Sequence, residues 1–426
     1  MHPRTRGDIV PAVVGATCNL KPKTQNVEPT TPVRQLAYLF ERFPAFTKTF
    51  CAREVAELYR QNLRVPVFSI RRPNDDRPLN IPLNGVDVRY LPDSNNLWFK
   101  VLTRLAAKRF SHIWNPKQDP RDKHRVHEAI HLGPLLEKEG IAAVHAHFAG
   151  MATRTAWWIK RLFGIPYSFT GHANDIFVEK TDQRLPLGQL IQDAEFVATE
   201  TEFSTQYLQS KFPDSAGKIH RVYNGLNLDP FRLAEPATGP LEIIAIGRLI
   251  PKKGFEVLVQ ACNMLVSKGL KLRCRIVGAG PEHVPLRQSI DRLALGKFVE
   301  LTGPKAQPEI VELLAQSNLF VFPAIEDGTG DRDNLPTVII EAMASGLPVI
   351  ATGLGGIGEI VTHQINGLIV SQGDADGLAD AIAFMAEHGD LRTSYGKNGL
   401  AVVKEKFTVE TTVKGLIELF QQYYGE

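Results

Sequence analysis

The chain has 426 residues, which exceeds what one ordinary hydrophobic core accommodates, so we expect two domains. Hydrophobic residues make up 43% and charged residues 22%, a balance that excludes a largely disordered or collagen-like chain. The 49 basic and 46 acidic side chains nearly cancel, so nothing in the overall charge favours nucleic-acid binding.

Four cysteines stand far apart and form no paired spacing, which argues against a disulfide framework or a zinc knuckle. No apolar run reaches the ~18 residues that a membrane span needs, and residues 1–32 lack the apolar stretch of a secretory signal. We therefore expect a cytoplasmic protein, and we expect residues 1–32 to form a flexible arm.

Residues 33–225 alternate short apolar runs with longer amphipathic ones, the pattern of a parallel sheet covered by helices. Strands are predicted at 35–40, 64–70, 86–91, 142–148, 166–170, 196–200 and 219–223. Helices are predicted at 47–61, 98–110, 124–138, 150–163 and 201–212.

A stretch rich in Pro and Gly at 226–240 has no period and predicts a linker, after which a second alternating series fills 241–405. Strands are predicted here at 241–247, 272–277, 298–302, 319–323, 348–352 and 368–370. Helices are predicted at 254–268, 284–294, 307–316, 335–345 and 374–387. The fold class is thus α/β with two Rossmann-like domains facing across a cleft, and a final helix in 406–426 packing back across the interface.

A basic loop follows the first strand of the second series. It runs from Gly247 and Arg248 to Lys253 and Gly254, between a strand end and a helix start. Free backbone N–H groups and the helix dipole favour anions there, and Arg with Lys suits a diphosphate. A solvated basic turn is the alternative interpretation.

Residues Gly353, Gly355 and Gly358 satisfy the GxGxxG pattern that invites a dinucleotide site, and so an NAD-dependent oxidoreductase. The context disagrees, because the pattern does not open a first βαβ unit and Asn366-Gly367 ends the following helix after about two turns. We interpret these glycines as a close backbone approach to a ligand's phosphates, or as a plain turn.

An acidic loop at 326–336 runs into the helix that carries Glu341, with Asp333 eight residues before it. Carboxylates accept hydrogen bonds from sugar hydroxyls, so this pair beside a phosphate site suits a nucleotide sugar. The alternatives are a divalent-cation site at Asp331 and Asp333, and a charged surface loop.

Histidines concentrate in the first half. His172 follows a predicted strand and should lie at the cleft edge, with its ring available for proton transfer or hydrogen bonding, unless it is a structural core residue. His145 and His147 alternate on one strand face, but no third zinc ligand follows at a fitting spacing, so we predict no metal site.

A basic amphipathic pattern at 98–110 suits an anionic lipid surface or, equally, a core-facing helix with a solvated basic face. Its apolar positions are Trp98, Val101, Leu102 and Leu105, and its basic positions are Lys100, Arg104, Lys108 and Arg109.

Taken together, these motifs resemble the retaining GT-B-fold glycosyltransferases of family GT4, especially branches that build exopolysaccharides of the colanic-acid type. The resemblance covers most of 34–405. It is carried by Arg42-Phe43-Pro44, Thr49-Phe50, Glu54, His145-Ala146-His147-Phe148, Gly171-His172-Ala173, Asn224-Gly225, Gly247-Arg248, Lys253-Gly254, Val277-Gly278-Ala279-Gly280-Pro281 and Glu341-Ala342-Met343-Ala344.

The resemblance implies that Arg248 and Lys253 hold a donor diphosphate, that Glu341 holds the ribose and that His172 touches the sugar or its phosphate. Asp333 stands where the family has Glu, one methylene longer. These five residues form the predicted catalytic set. Further donor contacts are implied at Gly278, Gly280, Asn334, Leu335, Pro336, Gly355 and Gly356, and acceptor-side contacts at Phe43, Thr49, Glu54 and His147.

The expected activity is metal-independent, retaining transfer of a hexose from a nucleoside diphosphate sugar, UDP-linked rather than GDP-linked. The expected acceptor is a hydroxyl of a growing, lipid-linked glycan in exopolysaccharide or lipopolysaccharide synthesis, with peripheral association at the inner membrane face. Alternatives are a nucleotide-sugar epimerase of the same fold and a noncatalytic nucleotide-sugar binding protein.

Overall fold

The computed structural model describes residues 34–45, 48–74, 81–92, 101, 105, 108–114, 122–178, 185–234, 239–328 and 330–425. Two all-parallel sheets organise this part of the chain, and helices cover both of them. Their inner strands are mostly buried, which explains why these strands read in the sequence as nearly continuous apolar runs, whereas the edge strands are partly exposed.

The first sheet has seven strands in the order β3-β2-β1-β4-β5-β6-β7. Its strands are β1 (Leu36–Arg42), β2 (Val67–Arg71), β3 (Val88–Tyr90), β4 (Ala143–His147), β5 (Tyr167–Gly171), β6 (Val197–Thr199) and β7 (Ile219–Arg221). The helices of this domain are α1 (Thr49–Arg60), α2 (Lys123–Lys138), α3 (Met151–Phe163), α4 (Ala173–Phe177), α5 (Leu187–Asp193) and α6 (Glu202–Lys211), followed by a 3-10 turn at Pro213–Lys218.

The second sheet has six strands in the order β10-β9-β8-β11-β12-β13. Its strands are β8 (Leu241–Ile246), β9 (Leu272–Val277), β10 (Val299–Gly303), β11 (Leu319–Phe322), β12 (Val349–Thr352) and β13 (Gly367–Val370). The helices are α7 (Phe255–Ser267), α8 (His283–Arg292), α9 (Gln307–Ala315), α10 (Thr337–Ala344), α11 (Ile357–Ile360), α12 (Ala375–Glu387), α13 (Gly389–Lys406) and α14 (Val409–Tyr424), with a 3-10 turn at Pro251–Lys253.

The predicted α/β fold class with two Rossmann-like domains is confirmed. Each of the 13 strands has a predicted counterpart whose ends differ by at most three residues. The helix predicted at 98–110 falls largely outside the described residues; of its positions that are described, Val101 and Leu105 are exposed. No helix in the described part of the chain combines the length and the apolar character that a membrane span requires.

The last helix, α14, returns to the first domain. Its side chains Val413, Leu416 and Phe420 pack in one core with Tyr38 and Phe40 of β1. Where the chain crosses between domains, the Leu226 N–H donates to the Phe407 carbonyl and the Val409 N–H donates to the Leu226 carbonyl. The two crossing segments therefore lie side by side and form one joint.

Helix α13 is the longest element without a predicted counterpart. It contains Gly396 and Gly399, which disfavour a helix in isolation. Packing requires Gly396, because a Cβ there would lie 1.9 Å from the Gly346 carbonyl oxygen; a Cβ on Gly399 would lie 3.1 Å from the Met343 side chain, a tight contact. A tertiary contact thus overrides the local preference.

Candidate functional site

A cavity of about 550 Å³ lies between the two domains. Its walls come from α1, from the start of α10 and from segments 226–231 and 305–310. The volume is within the range of small-molecule sites, and the location matches the cleft at which open α/β sheets bind ligands.

Glu341 lies in the wall of this cavity, on the second turn of α10. Its side chain is largely buried, and burial raises the pKa of its carboxyl to about 7 against the opposing effect of the Arg53 guanidinium. A hydroxyl that donates to this carboxylate would restore the lost solvation, so the site favours a ligand with hydrogen-bond donors.

Arg53 faces the cavity from α1 of the opposite domain. Within the described part of the chain, its Nε and Nη2 atoms are buried and have no hydrogen-bond acceptor. Burial lowers the pKa of Arg53 and the nearby Glu341 opposes this effect. The sequence prediction missed this residue, because only the docking of the two domains brings it near Glu341.

The predicted basic loop lies at the carboxyl end of β8. Arg248 is exposed, whereas Lys253 is buried and ends a 3-10 turn ahead of α7. The Lys253 Nζ atom lies 2.8 Å from Asp333 Oδ2 and 4.9 Å from the centre of the Phe322 ring. The structure therefore brings together two predicted residues, but as an ion pair.

The neighbouring Lys252 makes a parallel pair, with its Nζ atom 3.0 Å from Asp331 Oδ2. Each aspartate of the Asp331-Arg332-Asp333 segment is thus already neutralised by a lysine. A divalent cation would have to displace both ammonium groups, so the charges of this segment do not fit the cation site considered as an alternative.

The glycines predicted as donor contacts mainly allow loops to approach one another. A Cβ on Gly278 or Gly280 would lie within 2.2 Å of a carbonyl oxygen of the basic loop. The Gly356 N–H donates to the Asn334 carbonyl oxygen, and a Cβ on this glycine would lie 2.2 Å from Thr201 Cγ2 in the other domain. The Gly356 N–H is therefore occupied within the protein.

The helix after these glycines is shorter than predicted. Helix α11 has four residues, one turn rather than two, and it follows the strand at the fifth position of the second sheet. A dinucleotide fingerprint needs a full helix after the first strand of its unit, so this segment lacks that context.

Direct contacts join the two domains beside these loops. Asn334 is buried; its Oδ1 accepts from Thr201 Oγ1 at 2.9 Å and its Nδ2 donates to Ser204 Oγ at 2.8 Å. Glu359 of α11 accepts from the N–H groups of Glu202 and Phe203, at 2.8 and 2.9 Å, and so caps α6 from across the cleft. Leu335 and Pro336, the other predicted donor contacts on this loop, are buried.

His172 lies at the end of β5, as predicted, but its ring is largely buried and both nitrogens have partners. Its Nδ1 is 3.0 Å from Glu200 Oε2, and its Nε2 is 3.4 Å from His147 Nδ1. The expectation of an available ring is corrected: reaching a ligand requires His172 to give up one of these partners.

His147 and Glu54, predicted on the acceptor side, belong to this buried network. His147 Nε2 lies 3.0 Å from Glu54 Oε1. Burial by itself would lower the pKa of His147, but the Glu54 carboxylate and the Cys51 thiol raise it to about 10. A protonated His147 donates from both ring nitrogens, which leaves His172 Nε2 as an acceptor and its Nδ1–H as the donor to Glu200.

The other two residues predicted on the acceptor side, Phe43 and Thr49, lie in different environments. Phe43 is buried, stacks on Phe40 with ring centres 4.7 Å apart and is a core residue, so the predicted acceptor contact is wrong for its side chain. Thr49 does line the interdomain cavity.

The fold adds a carboxylate to the two histidines considered for zinc. Ligand atoms of Glu54, His145 and His147 lie within 4.8 Å of one another. His145 Nδ1 and Nε2 are engaged, however, with Ser168 Oγ at 2.8 Å and Thr170 Oγ1 at 3.0 Å. With both ring nitrogens of His145 committed, the group fits a hydrogen-bond network better than a metal site.

Comparison with known proteins agrees with this architecture. Residues 49–230 match the model described as Glycosyltransferase Family 4, and residues 231–402 match the model described as Glycosyl transferases group 1. The chain is 37% identical over 158 residues to WcaL of Escherichia coli (strain K12), named for colanic acid biosynthesis, and 33% identical over 177 residues to the amylovoran biosynthesis glycosyltransferase AmsK of Erwinia amylovora.

These matches cover 37% and 41% of this chain but only 39% and 43% of the relatives, about two fifths of their length. Among solved structures, Anabaena HepE in complex with UDP superposes with a TM-score of 0.69 at 18% identity, over 91% of this chain and all of that one. The chain therefore belongs to the family 4 and group 1 glycosyltransferases, and it has their GT-B fold.

Proposed function

We propose that the protein is a retaining hexosyltransferase that uses a nucleoside diphosphate sugar, UDP-linked rather than GDP-linked. The observation that carries this proposal is the interdomain cavity, with the buried Glu341 carboxylate in its wall and the basic loop at the carboxyl end of the central strand β8. The preference for UDP is supported by the UDP complex of HepE, which shares the fold.

Glu341 accepts hydrogen bonds from the ribose hydroxyls, and Arg53 reaches the same ligand from the first domain. Arg248 and Lys253 hold the diphosphate. Because Lys253 is paired with Asp333, the phosphate exchanges for this carboxylate, and Asp333 is then free to accept from a sugar hydroxyl.

Bond cleavage at the anomeric carbon separates a positive sugar from a negative diphosphate. Fixed positive charge at the phosphates is worth more in this transition state than in the ground state, so Arg248 and Lys253 lower the barrier. The leaving phosphate takes the proton of the acceptor hydroxyl, which attacks from the same face and retains the configuration. His172 stays oriented by Glu200 and contacts the transferred sugar through Nε2, which exchanges His147 for the ligand.

The acceptor is a hydroxyl of a growing, lipid-linked glycan in exopolysaccharide or lipopolysaccharide synthesis, and it binds on the first domain. The names of WcaL and AmsK support the exopolysaccharide assignment. The exposed Val101 and Leu105, in the basic segment 98–110, are consistent with peripheral contact with the inner membrane face. Domain closure through Glu359 and Asn334 excludes water and limits donor hydrolysis.

A melting-temperature screen with UDP-, GDP- and ADP-sugars at equal concentration tests the donor assignment, since a bound ligand stabilises the folded state by an amount that grows with the logarithm of its concentration over Kd. Mass spectrometry of a lipid-linked oligosaccharide acceptor, followed by NMR of the new anomeric proton, then tests transfer and retention. Interconversion of free nucleotide sugars without an acceptor would instead identify an epimerase. Binding without any turnover would identify a noncatalytic binding protein.

A further inference from the structure

A second cavity, of about 500 Å³, lies in the first domain and shares no lining residue with the interdomain cavity. It opens where β1, β2 and β3 end and where α2 begins. We call it the arginine pocket, defined by Arg42, Arg71, Arg72, Arg125, His124 and Glu128. In the sheet order, β1 separates β2 from β4, so the pocket lies beside the switch point where ligands of such sheets bind.

Among the described residues that line this pocket, positive charge exceeds negative charge. Arg125 Nη2 lies 2.6 Å from Glu128 Oε1, and Arg71 Nη1 lies 3.6 Å from Glu41 Oε1. Among the described residues, Arg42 and Arg72 have no acidic partner, so four guanidinium groups face two carboxylates. The surplus favours an anionic ligand.

The pKa of His124 reflects the same positive charge. Burial lowers the pKa of its imidazole, and the neighbouring charges of Arg125, Lys123 and Arg71 lower it further. Because protonation is disfavoured beside so many cations, an anion entering the pocket would meet a positive potential.

Several of these side chains are held in place before any ligand binds. Arg42 Nη1 donates to the Arg72 carbonyl at 2.7 Å and to Asn74 Oδ1 at 2.5 Å. Arg72 lies over the Tyr90 ring, 4.8 Å from its centre. Glu128, which orients Arg125, accepts from Thr155 Oγ1 at 2.6 Å. Guanidinium groups fixed in this way lose little freedom when they bind a planar oxyanion.

We infer that the arginine pocket binds an anionic group of the acceptor, a carboxylate or a phosphate. The assignment to the acceptor rests on the proposed transferase function, because the pocket belongs to the domain opposite the basic loop, where the donor is proposed to bind. Anion binding itself does not rest on it. The transferred sugar would then be directed to glycans that carry an acidic residue or a phosphate-linked carrier near the accepting hydroxyl.

The test is an NMR titration of the full chain without nucleotide sugar, using three probes: methyl β-D-glucuronide, inorganic diphosphate and the neutral methyl β-D-glucoside. We expect one or both anions to bind and the glucoside not to bind. The Arg71→Gln/Arg72→Gln double variant should weaken anion binding about tenfold or more, the scale of lost charge-assisted hydrogen bonds. Both arginines are exposed, so folding should persist; a melting curve checks it, and Arg72→Gln alone is the fallback.

The matched control is Arg64→Gln, an exposed arginine of the same domain, which should bind the anions like the unmodified protein. Binding of glucuronide alone would assign a carboxylate, and binding of diphosphate alone a phosphate. The proposal is overturned if neither anion binds, or if the Arg71→Gln/Arg72→Gln double variant binds the anions as well as the Arg64→Gln control does. It is also overturned if diphosphate binding is lost in Lys253→Gln but not in the double variant. If nucleotide sugars fail to bind while anion binding still depends on Arg71 and Arg72, the transferase proposal fails and the anion site stands.

Discussion

The two basic clusters at the carboxyl edges of the sheets differ in how their charge is balanced. In the second domain, Lys252 and Lys253 each pair with one aspartate of the facing loop. In the first domain, two of the four arginines of the arginine pocket pair with a carboxylate among the described residues, Arg125 with Glu128 and Arg71 with the adjacent Glu41. Where each lysine is paired with an aspartate, a phosphate must displace a carboxylate in order to bind. Where arginines lack acidic partners, an anionic ligand can bind without displacing one.

We expect the largest effect from substitutions in the basic loop at 247–254. Arg248→Ala and Lys253→Met should each reduce transfer by ~10² or more, the scale of removing one donor to a developing oxyanion. Lys252→Met is the matched control, because Lys252 is equally buried and similarly paired but points to Asp331. Steady-state kinetics with saturating donor measure the effect. Near-normal turnover in the Arg248 and Lys253 variants would contradict the diphosphate assignment.

Glu341 differs from Asp331 and Asp333, because burial raises the pKa of its carboxyl and it has no lysine partner among the described residues. Ribose hydroxyls favour its ionised form, so UDP binding should release a proton below pH 7 and affinity should rise with pH to a plateau above about 7. Glu341→Gln should bind about tenfold more weakly at pH 8 and lose this pH dependence. Calorimetry in buffers of different ionisation enthalpy measures the proton. An unchanged pH profile in the variant would show that another group titrates.

The raised pKa of Glu341 also predicts that the free energy of unfolding depends on pH in the absence of ligand. Because the folded pKa of Glu341 exceeds its ordinary value of 4.5, the folded state binds more protons than the unfolded state between pH 4.5 and about 7. The contribution of Glu341 to the free energy of unfolding therefore falls as the pH rises through this window. Denaturant titrations at pH 5.5 and 7.5 should show a smaller fall for Glu341→Gln than for the unmodified chain.

We expect a smaller effect from removing the contact between Glu359 and α6, which joins the two domains. Glu359→Ala removes the carboxylate that caps α6 from the other domain, and a lost cap of about 1 kcal/mol changes the ratio of closed to open molecules about fivefold. Small-angle scattering should show a larger radius of gyration, and donor hydrolysis should rise relative to transfer. Glu387→Ala, an exposed glutamate at the end of α12, should change neither. Equal behaviour of the two variants would mean that Glu359 does not hold the domains closed.

The smallest expected effect is that of metal removal. Because Lys252 neutralises Asp331 and Lys253 itself supplies positive charge at the diphosphate, dialysis against EDTA should leave turnover within about twofold of its starting value. Loss of activity with EDTA and its recovery with Mn²⁺ or Mg²⁺ would restore the cation-site interpretation of this segment.

The sequence by itself determined the fold class, the strands and the position of the basic loop. Parallel strands buried on both faces leave continuous apolar runs, and a strand, a basic loop and a helix start at 247–254 are local features of the chain. The sequence also singled out Glu341 and Asp333 as candidate site residues, because it shows an acidic loop followed eight residues later by an acid on the next helix; their roles stay predictions.

Tertiary structure decided what these residues contact. The ion pair of Lys253 with Asp333, the engagement of both nitrogens of His172 and the approach of Arg53 to Glu341 join segments far apart in the chain. Helix α13 forms despite its glycines because the Gly346 carbonyl leaves no room for a side chain at Gly396. Local patterns encode periodicity and charge, whereas pairing and burial depend on how the two sheets and the joint between them bring distant residues together.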